Sequence, residues 1–384
     1  MLWCKNVVLR LLWMQWRDIR HPWYGGAEVY MHEILSRISK KGFEVIAITS
    51  GFRGLKRLEH IDGYSVLRVG GHETYLFHAV KALLRYVRWA DVVVEDTSKV
   101  PLFLPLLLGR FGKPVIAIAH HLNREIYFEE LSPLKAWIAY DMESLMPRLY
   151  TEIPNTRFAA VSQSTCEELI ELGAKPNRIA VVPNGVDVSK YKPETCNPMN
   201  QKSEEPTVLY LSRLKRYKRP LHALYAFKLI SRDVPEAKLI IAGDGELKGD
   251  VERSVKELAL EDRVQVLGRV KEEEKIRLLQ RAWVLIQTSR KEGFGLTVLE
   301  AAACGTPTIA YENGGFRNSI KDAETGLLVP QGNVKALALA ILNVLADEEL
   351  REKLTINAVR WAREFTWERS TKAFMDLVRE CVER

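Results

Sequence analysis

A chain of 384 residues, 47% apolar and 27% charged, is too long for one compact core and fits two globular domains rather than a disordered or membrane-embedded protein. Its formal net charge of +7 is spread evenly, with 25 Lys and Arg against 21 Asp and Glu in residues 1–200 and 31 against 28 beyond. No basic block marks a nucleic-acid partner.

The five cysteines, Cys4, Cys166, Cys196, Cys304 and Cys381, are scattered, and no pair has metal-ligand spacing. Reduced thiols in a cytoplasmic protein are expected. The opening residues carry interrupting charges and no small-residue cleavage site, so residues 6–14 read as a first strand rather than a secretory signal. The most apolar run, residues 100–109, is too short to span a bilayer and holds two prolines. A mildly basic surface containing aromatic residues would suit anionic lipid headgroups, as at the inner face of a membrane.

After the first strand, His21-Pro-Trp-Tyr-Gly-Gly-Ala-Glu28 leads into an amphipathic helix to about Lys41, and residues 43–49 form the next strand. This opening is Rossmann-like but lacks the G-x-G-x-x-G fingerprint. Gly25 and Gly26, just before a helix, let a phosphate or sugar approach the backbone, or simply turn the chain. Residues 64–69 and 91–95 read as strands separated by a helix over 78–89. Val115-Ile-Ala-Ile-Ala119 is a continuous apolar strand ending at His120-His121, and ligands of parallel sheets sit beyond such carboxyl ends. Residues 123–150 are aromatic and acidic, with helical spacing at Leu134, Trp137, Ile138 and Asp141; they suit either the wall of a ligand cleft or core and lid packing. A strand over 158–162 follows, then a helix to about Leu172 capped by Ser162 or Ser164, then a strand and turn over 179–187.

Residues 191–206, rich in Pro, Asn and other polar residues, form the one clear composition shift, and 196–206 reads as an interdomain linker. That divides the chain into domains 1–195 and 207–365, with a last helix over 366–384 whose Trp367, Phe374 and Leu377 can pack back on the first domain. The second domain opens with the strand 207–211. In the loop Ser212-Arg-Leu-Lys-Arg-Tyr-Lys-Arg-Pro220, five cations form an anion site if they converge. Residues 238–245 form a strand ending in glycines, where the backbone can approach a nucleotide, and 264–270 form another. A buried strand over 282–287 then leads to a loop with Glu292, Gly293 and Gly295, a helix ending at Gly305, and a strand over 308–311. The glycines admit a ligand, and the helix start offers N–H donors to phosphate. Glu300 in the first turns can accept from two neighbouring ribose hydroxyls, and Glu292 can do the same for a hexose. The plainer reading is that Glu300 complements the helix dipole and Glu292 is solvated.

The stretch Lys291-Glu-Gly-Phe-Gly-Leu-Thr-Val-Leu-Glu-Ala301, followed by Gly305-Thr-Pro-Thr-Ile-Ala310, resembles the retaining glycosyltransferases of family 4, and the likeness covers nearly the whole chain. It implies an α/β fold of GT-B architecture, two Rossmann-like domains facing each other across a cleft. It also implies a hexosyltransferase that takes a hexosyl group from a nucleotide-sugar donor, a UDP- or GDP-sugar, to a lipid-linked, saccharide or small-molecule acceptor. The donor is a substrate, and no cofactor is expected. No metal is expected either, since there is no Asp-x-Asp motif and cationic side chains can take a metal's place.

By the same resemblance, Gly25 and Gly26 belong to a loop that lies across the cleft from the donor phosphates. His120, with His121 as the fallback, is the strand-end histidine that touches the transferred sugar. Arg213 and Lys218 are the paired diphosphate ligands, whereas Lys215, Arg216 and Arg219 have no counterpart. Gly243 lies at the nucleotide, and Gly268, Arg269 and Val270 form the turn whose backbone reads the base. Glu292 orients the sugar hydroxyls, Glu300 holds the ribose, and Gly293, Phe294, Gly295, Leu296 and Thr297 surround the donor between them. The family commonly has a Glu shortly after the Gly314-Gly315 pair, where this chain has Phe316-Arg-Asn318. A nucleotide-sugar epimerase or a non-catalytic sugar-nucleotide-binding subunit would share the architecture; the Glu292/Glu300 pair with Arg213/Lys218 favours transfer.

Overall fold

Strands that are apolar at every residue are covered on both faces, which is the situation of parallel sheets between helical layers. The computed structural model, which describes residues 8–383, has two such sheets. The chain divides into two compact units, Met1–Asn184 with Trp367–Arg384, and Gly185–Thr366.

The first unit contains β1 (Arg10–Met14), β2 (Glu44–Ser50), β3 (Leu58–Ile61), β4 (Tyr64–Val69), β5 (Val92–Asp96), β6 (Val115–Ala119), β7 (Thr156–Ala160) and β8 (Ile179–Val181), in the order β3-β4-β2-β1-β5-β6-β7-β8. Side chains of β1 alternate between layers. Leu12 and Met14 join the core under helices Tyr75–Tyr86 and Leu104–Leu108. Trp13 faces the other way and meets Phe374 of the closing helix Trp367–Val382, ring centroids 5.5 Å apart. That helix also meets helix Gly26–Ser39, where Arg37 binds Glu368 at 3.0 Å.

The second unit contains β9 (Thr207–Leu211), β10 (Lys238–Ala242), β11 (Val264–Gly268), β12 (Val284–Gln287), β13 (Thr308–Tyr311) and β14 (Gly326–Val329), all parallel, in the order β11-β10-β9-β12-β13-β14. From β9 the chain winds outward through β10 in one direction, and from β12 through β13 in the other. The carboxyl ends of β9 and β12 therefore flank a topological switch point, where open α/β sheets bind ligands.

Several expectations meet a different arrangement. The first strand is seen from Arg10, and residues 6 and 7 lie outside the described residues. The antiparallel β3 was not expected, although Asp62 and Gly63, with φ of 44° and 100°, make the two-residue turn that an Asp-Gly pair signals. The segment 196–206, expected as a linker, lies inside the second unit. Its polar side chains are used to satisfy buried carbonyls: Gln201 donates to the Cys304 carbonyl at 2.7 Å, and Lys202 to the Gly305 carbonyl at 2.7 Å. Burial pushes the Lys202 ammonium down to about 7.

Helix Pro133–Glu152 turns its small residues inward, with Ala136, Ala139 and Met146 buried, while Leu134, Trp137 and Ile138 are 72%, 58% and 52% exposed. Those side chains lie outside the core, and Trp137 stands edge-on to Phe128 at 5.1 Å. Among the described residues, no helix is long and apolar enough to cross a membrane.

Candidate active site

The switch point of the second unit draws together two loops far apart in sequence. The Arg290 amide donates to the Tyr217 carbonyl at 2.8 Å, and the Thr288 hydroxyl reaches the Lys218 and Arg219 carbonyls, each at 2.8 Å. This seam places the Lys218 ammonium on the Glu292 carboxylate, with their side chains only 10% and 17% exposed. Lys218 also lies 5.0 Å from the centre of the Tyr217 ring, while the Tyr217 hydroxyl accepts from Arg213 at 2.9 Å. Tyr217 thus ties Arg213 and Lys218 to one point. Arg216 and Arg219 turn elsewhere: Arg216 faces Glu246 at 3.8 Å and Arg219 binds Gln331 at 2.9 Å. Of the five cations, Arg213 and Lys218 are the two that Tyr217 brings together.

Gly293 is buried, and Phe294 is anchored edge-on to Phe365 at 5.3 Å, so its side chain serves the core. Gly295 caps helix Leu296–Ala303 with φ of 92°, where a Cβ would come within 3.0 Å of the Phe316 ring. Phe316 itself is buried against Val298 and Ala310. Within the stretch Phe316-Arg-Asn318, which stands where the resembled family commonly has a carboxylate, Phe316 is a core residue that supports the helix start from beneath. The Leu296 and Thr297 amides open that helix, the geometry of an anion site.

Glu300 is not merely a solvated helix residue. It accepts from Lys275 at 2.9 Å, and Lys275 also reaches Glu272 at 3.4 Å. The Tyr191 hydroxyl binds Glu272, and its ring lies 5.0 Å from the Lys275 ammonium. Burial works against the charge on Lys275, but Glu300 and Glu272 outweigh it and hold its pKa above the ordinary value. Tyr191 is pushed well up by burial and by these same carboxylates. Lys275 and Tyr191 were missed at the sequence level, because Glu300 lies 25 residues from Lys275 and Glu272 lies 81 from Tyr191, and no local motif joins them.

The glycines after β10 have a packing cause. A Cβ on Gly243 would stand 1.8 Å from the Ser212 carbonyl oxygen, so only glycine lets this turn lie against the loop that carries Arg213. The Gly243 amide donates to the Gly268 carbonyl at 2.7 Å, which links the ends of β10 and β11 and positions the turn through Arg269 and Val270.

In the first unit, Gly25 is the N-cap of helix Gly26–Ser39, and its φ of −149° is ordinary extended backbone. Its amide donates to Glu28 at 2.6 Å, and Glu28 accepts from Arg17 at 2.9 Å. The donor expected to greet a phosphate at Gly25 is therefore already used, which leaves the amides of the first helical turn. His120, at the end of β6, is buried; its Nε2 meets Asp96 at 2.9 Å and its ring stands edge-on to Tyr30 at 5.2 Å. His121 is half-buried and its Nε2 meets Asn123 at 3.2 Å. Asp96 was missed; pairing of β5 with β6 brings it beside His120. Ser162 caps helix Gln163–Glu171 by accepting from the Thr165 amide at 3.1 Å.

A family model described as glycosyl transferases group 1 matches residues 192–361, and one described as glycosyltransferase family 4 matches residues 24–190. The chain is 29% identical over 348 residues to the N-acetyl-alpha-D-glucosaminyl L-malate synthase of Bacillus anthracis, covering 87% of this chain and 88% of the relative. It is 28% identical over 207 residues to the poly(glycerol-phosphate) alpha-glucosyltransferase of Bacillus subtilis, covering 54% of this chain but 30% of that protein's length. Among solved structures, Anabaena Alr3699/HepE in complex with UDP-glucose superimposes with a TM-score of 0.79 at 20% identity, over 97% of this chain and 100% of the other.

Proposed function

The chain belongs to the family 4 glycosyltransferases of group 1 and has the GT-B fold, and on that premise we propose that it transfers a hexosyl group from a nucleotide-diphosphate sugar, UDP or GDP, to a lipid-linked, saccharide or small-molecule acceptor with retention of configuration. The carrying observation is that Lys218, joined to Arg213 through Tyr217, meets Glu292 on the loop that leads into helix Leu296–Ala303 at the switch point of the second unit. That is where charge develops when a diphosphate departs.

In this reading the C1–O bond to the diphosphate breaks with oxocarbenium character at C1. Lys218, Arg213 and the Leu296 and Thr297 amides take up the growing charge. The acceptor oxygen bonds to C1 on the face the diphosphate leaves, and its proton passes to the departing phosphate. Glu292 orients the sugar hydroxyls and Glu300 holds the ribose. His120, steadied by Asp96, addresses the transferred sugar. The scheme differs from the two-carboxylate hydrolase pattern, in which the carboxyl spacing sets the stereochemistry. It requires no cofactor and no metal, because the cations occupy a metal's role. An N-acetylglucosaminyl or glucosyl donor is supported by the names of the Bacillus relatives, and a UDP carrier by the HepE complex.

The pairing of Lys218 with Glu292 makes this reading testable. A diphosphate must share Lys218 with that carboxylate, so Glu292→Gln is expected to tighten UDP binding by roughly five- to tenfold, the worth of one partly exposed ion pair, while slowing sugar transfer by about a hundredfold. Calorimetry with UDP and initial rates with a UDP-sugar and acceptor read the two effects. Weaker UDP binding in the variant, or donor consumption that ignores the acceptor, would count against transfer.

A further inference from the structure

We infer that the first unit docks on an anionic lipid bilayer through the outer surfaces of helices Tyr75–Tyr86, Leu104–Leu108 and Pro133–Glu152. This goes beyond sugar transfer and does not depend on it.

The three helices roof one face of one sheet. Leu83, Leu104 and Leu108 pack with Val115, while Met146 and Tyr150 pack with Ala117 and Ala119. Val115, Ala117 and Ala119 are alternate residues of β6 and so share a face. The outer side of this layer is apolar. Among the described residues, 25 large apolar side chains are exposed, and thirteen of them lie between residues 76 and 149. Phe77, Leu84, Leu107, Phe111, Trp137 and Leu145 are representative. The second unit, Gly185–Thr366, has four. The opposite layer of the first unit, helices Gly26–Ser39 and Trp367–Val382, turns outward a charged surface that includes Lys40, Lys41 and Lys372. Exposed apolar side chains concentrated in this way on one layer mark an interaction surface rather than ordinary scatter.

Charge selects the occupant. Between residues 74 and 90 the chain carries Lys81, Arg85 and Arg88 and no carboxylate. Between 97 and 124 it carries Lys99, Arg110, Lys113 and Arg124 and again none, whereas Glu125, Glu129 and Glu130 follow around Phe128, so the cationic surplus belongs to the stretch before them. Phe77, Lys81, Leu84, Arg85 and Arg88 recur at helical spacing and are all exposed, so apolar and cationic groups share one stripe. Helix Pro133–Glu152 contributes mostly apolar surface, with Lys135 and Arg148 against Asp141 and Glu152; Lys175 binds Glu152 at 2.7 Å. Long cationic side chains around apolar anchors fit phosphate headgroups above acyl chains. No described helix is long and apolar enough to cross, so the face lies on the bilayer.

The test is cosedimentation of the full chain with phosphatidylcholine vesicles, with and without phosphatidylglycerol. Wild type is expected to pellet with anionic vesicles, to be released by salt, and to ignore neutral ones. Each cation is worth about fivefold in partitioning, so Lys81→Glu with Arg85→Glu is expected to reduce binding more than roughly twentyfold. Leu134→Ser with Trp137→Ser and Ile138→Ser should also release the protein. Both variants change exposed side chains and should keep wild-type nucleotide binding, which separates loss of docking from loss of fold. The inference is overturned if wild type stays in the supernatant with anionic vesicles, if both variants pellet like wild type, or if the face instead mediates self-association that the Trp137 variant abolishes.

Discussion

Lys218→Met is expected to lower kcat/KM by about two to three orders of magnitude, or about 3–4 kcal/mol of transition-state stabilisation, with the fold intact. Lys218 is the cation the second unit holds most tightly at the switch point. Its ammonium is bound to Glu292 and lies beside the Tyr217 ring, and its own carbonyl accepts from the Tyr210 hydroxyl at 3.1 Å. A group that is already oriented and shielded from water stabilises developing charge without reorganisation, which is why its loss is costly. Met keeps the aliphatic stem and its packing but removes the charge. Arg213 is exposed, so Arg213→Met should cost markedly less. Steady-state rates with a UDP-sugar and acceptor, alongside a thermal melt, check both; equal losses would mean that burial does not set the worth of the charge.

The second large effect is on stability. Asp18 and Arg68 are 0% and 1% exposed and form a bidentate pair, with Arg68 donating to both carboxylate oxygens at 2.8 Å. The Thr49 hydroxyl and the Arg20 amide complete the carboxylate's partners, and Glu59 meets Arg68 at 2.7 Å. Arg68→Met strands a buried carboxylate and should destabilise the first unit by about 3–5 kcal/mol, while the double variant Asp18→Asn with Arg68→Met should recover most of that loss. Burial tends to raise the Asp18 pKa, but the Arg68 hydrogen bonds and charge outweigh it, and the net direction is downward from 3.8. A depressed folded pKa means that this stability is present above 3.8 and is lost as pH falls through the lower folded value. Urea unfolding at neutral and acid pH reads both effects; a single variant as stable as wild type at neutral pH would refute the assignment. The pair also braces the loop between β1 and helix Gly26–Ser39, so its loss should reach Gly25 and Gly26.

The elements legible in the sequence are those whose signal is local. Val115–Ala119, Thr207–Leu211 and Thr308–Tyr311 are short apolar runs bounded by turn residues, and their limits fall where the pattern places them. The motif around Glu292 and Glu300 is likewise local, and so was the family. What the sequence did not display is pairing across distance. Glu292 meets Lys218 over 74 residues, from loop to loop, and Glu300 meets Lys275 over 25, from helix to helix, and only the fold brings these elements together. Helix Pro133–Glu152 fails for another reason. A helical period says that residues share a stripe, not whether the stripe is covered, and here the alanines face inward while Trp137 faces out. The polar stretch 196–206 reads as a linker because composition reports polarity, whereas the buried Gln201 and the half-buried Lys202 bind carbonyls that only the fold supplies.

The most direct test of the central claim is calorimetric titration of UDP, GDP and ADP into wild type and Glu300→Ala. Ligand binding stabilises only the folded site that recognises it, so one nucleoside diphosphate should be preferred and should raise the melting temperature. That binding should fall at least about tenfold in Glu300→Ala, the worth of a charge-assisted hydrogen bond to the ribose. Absence of binding by all three nucleotides at millimolar concentration, or undiminished binding in Glu300→Ala, would contradict the placement of the donor at this switch point.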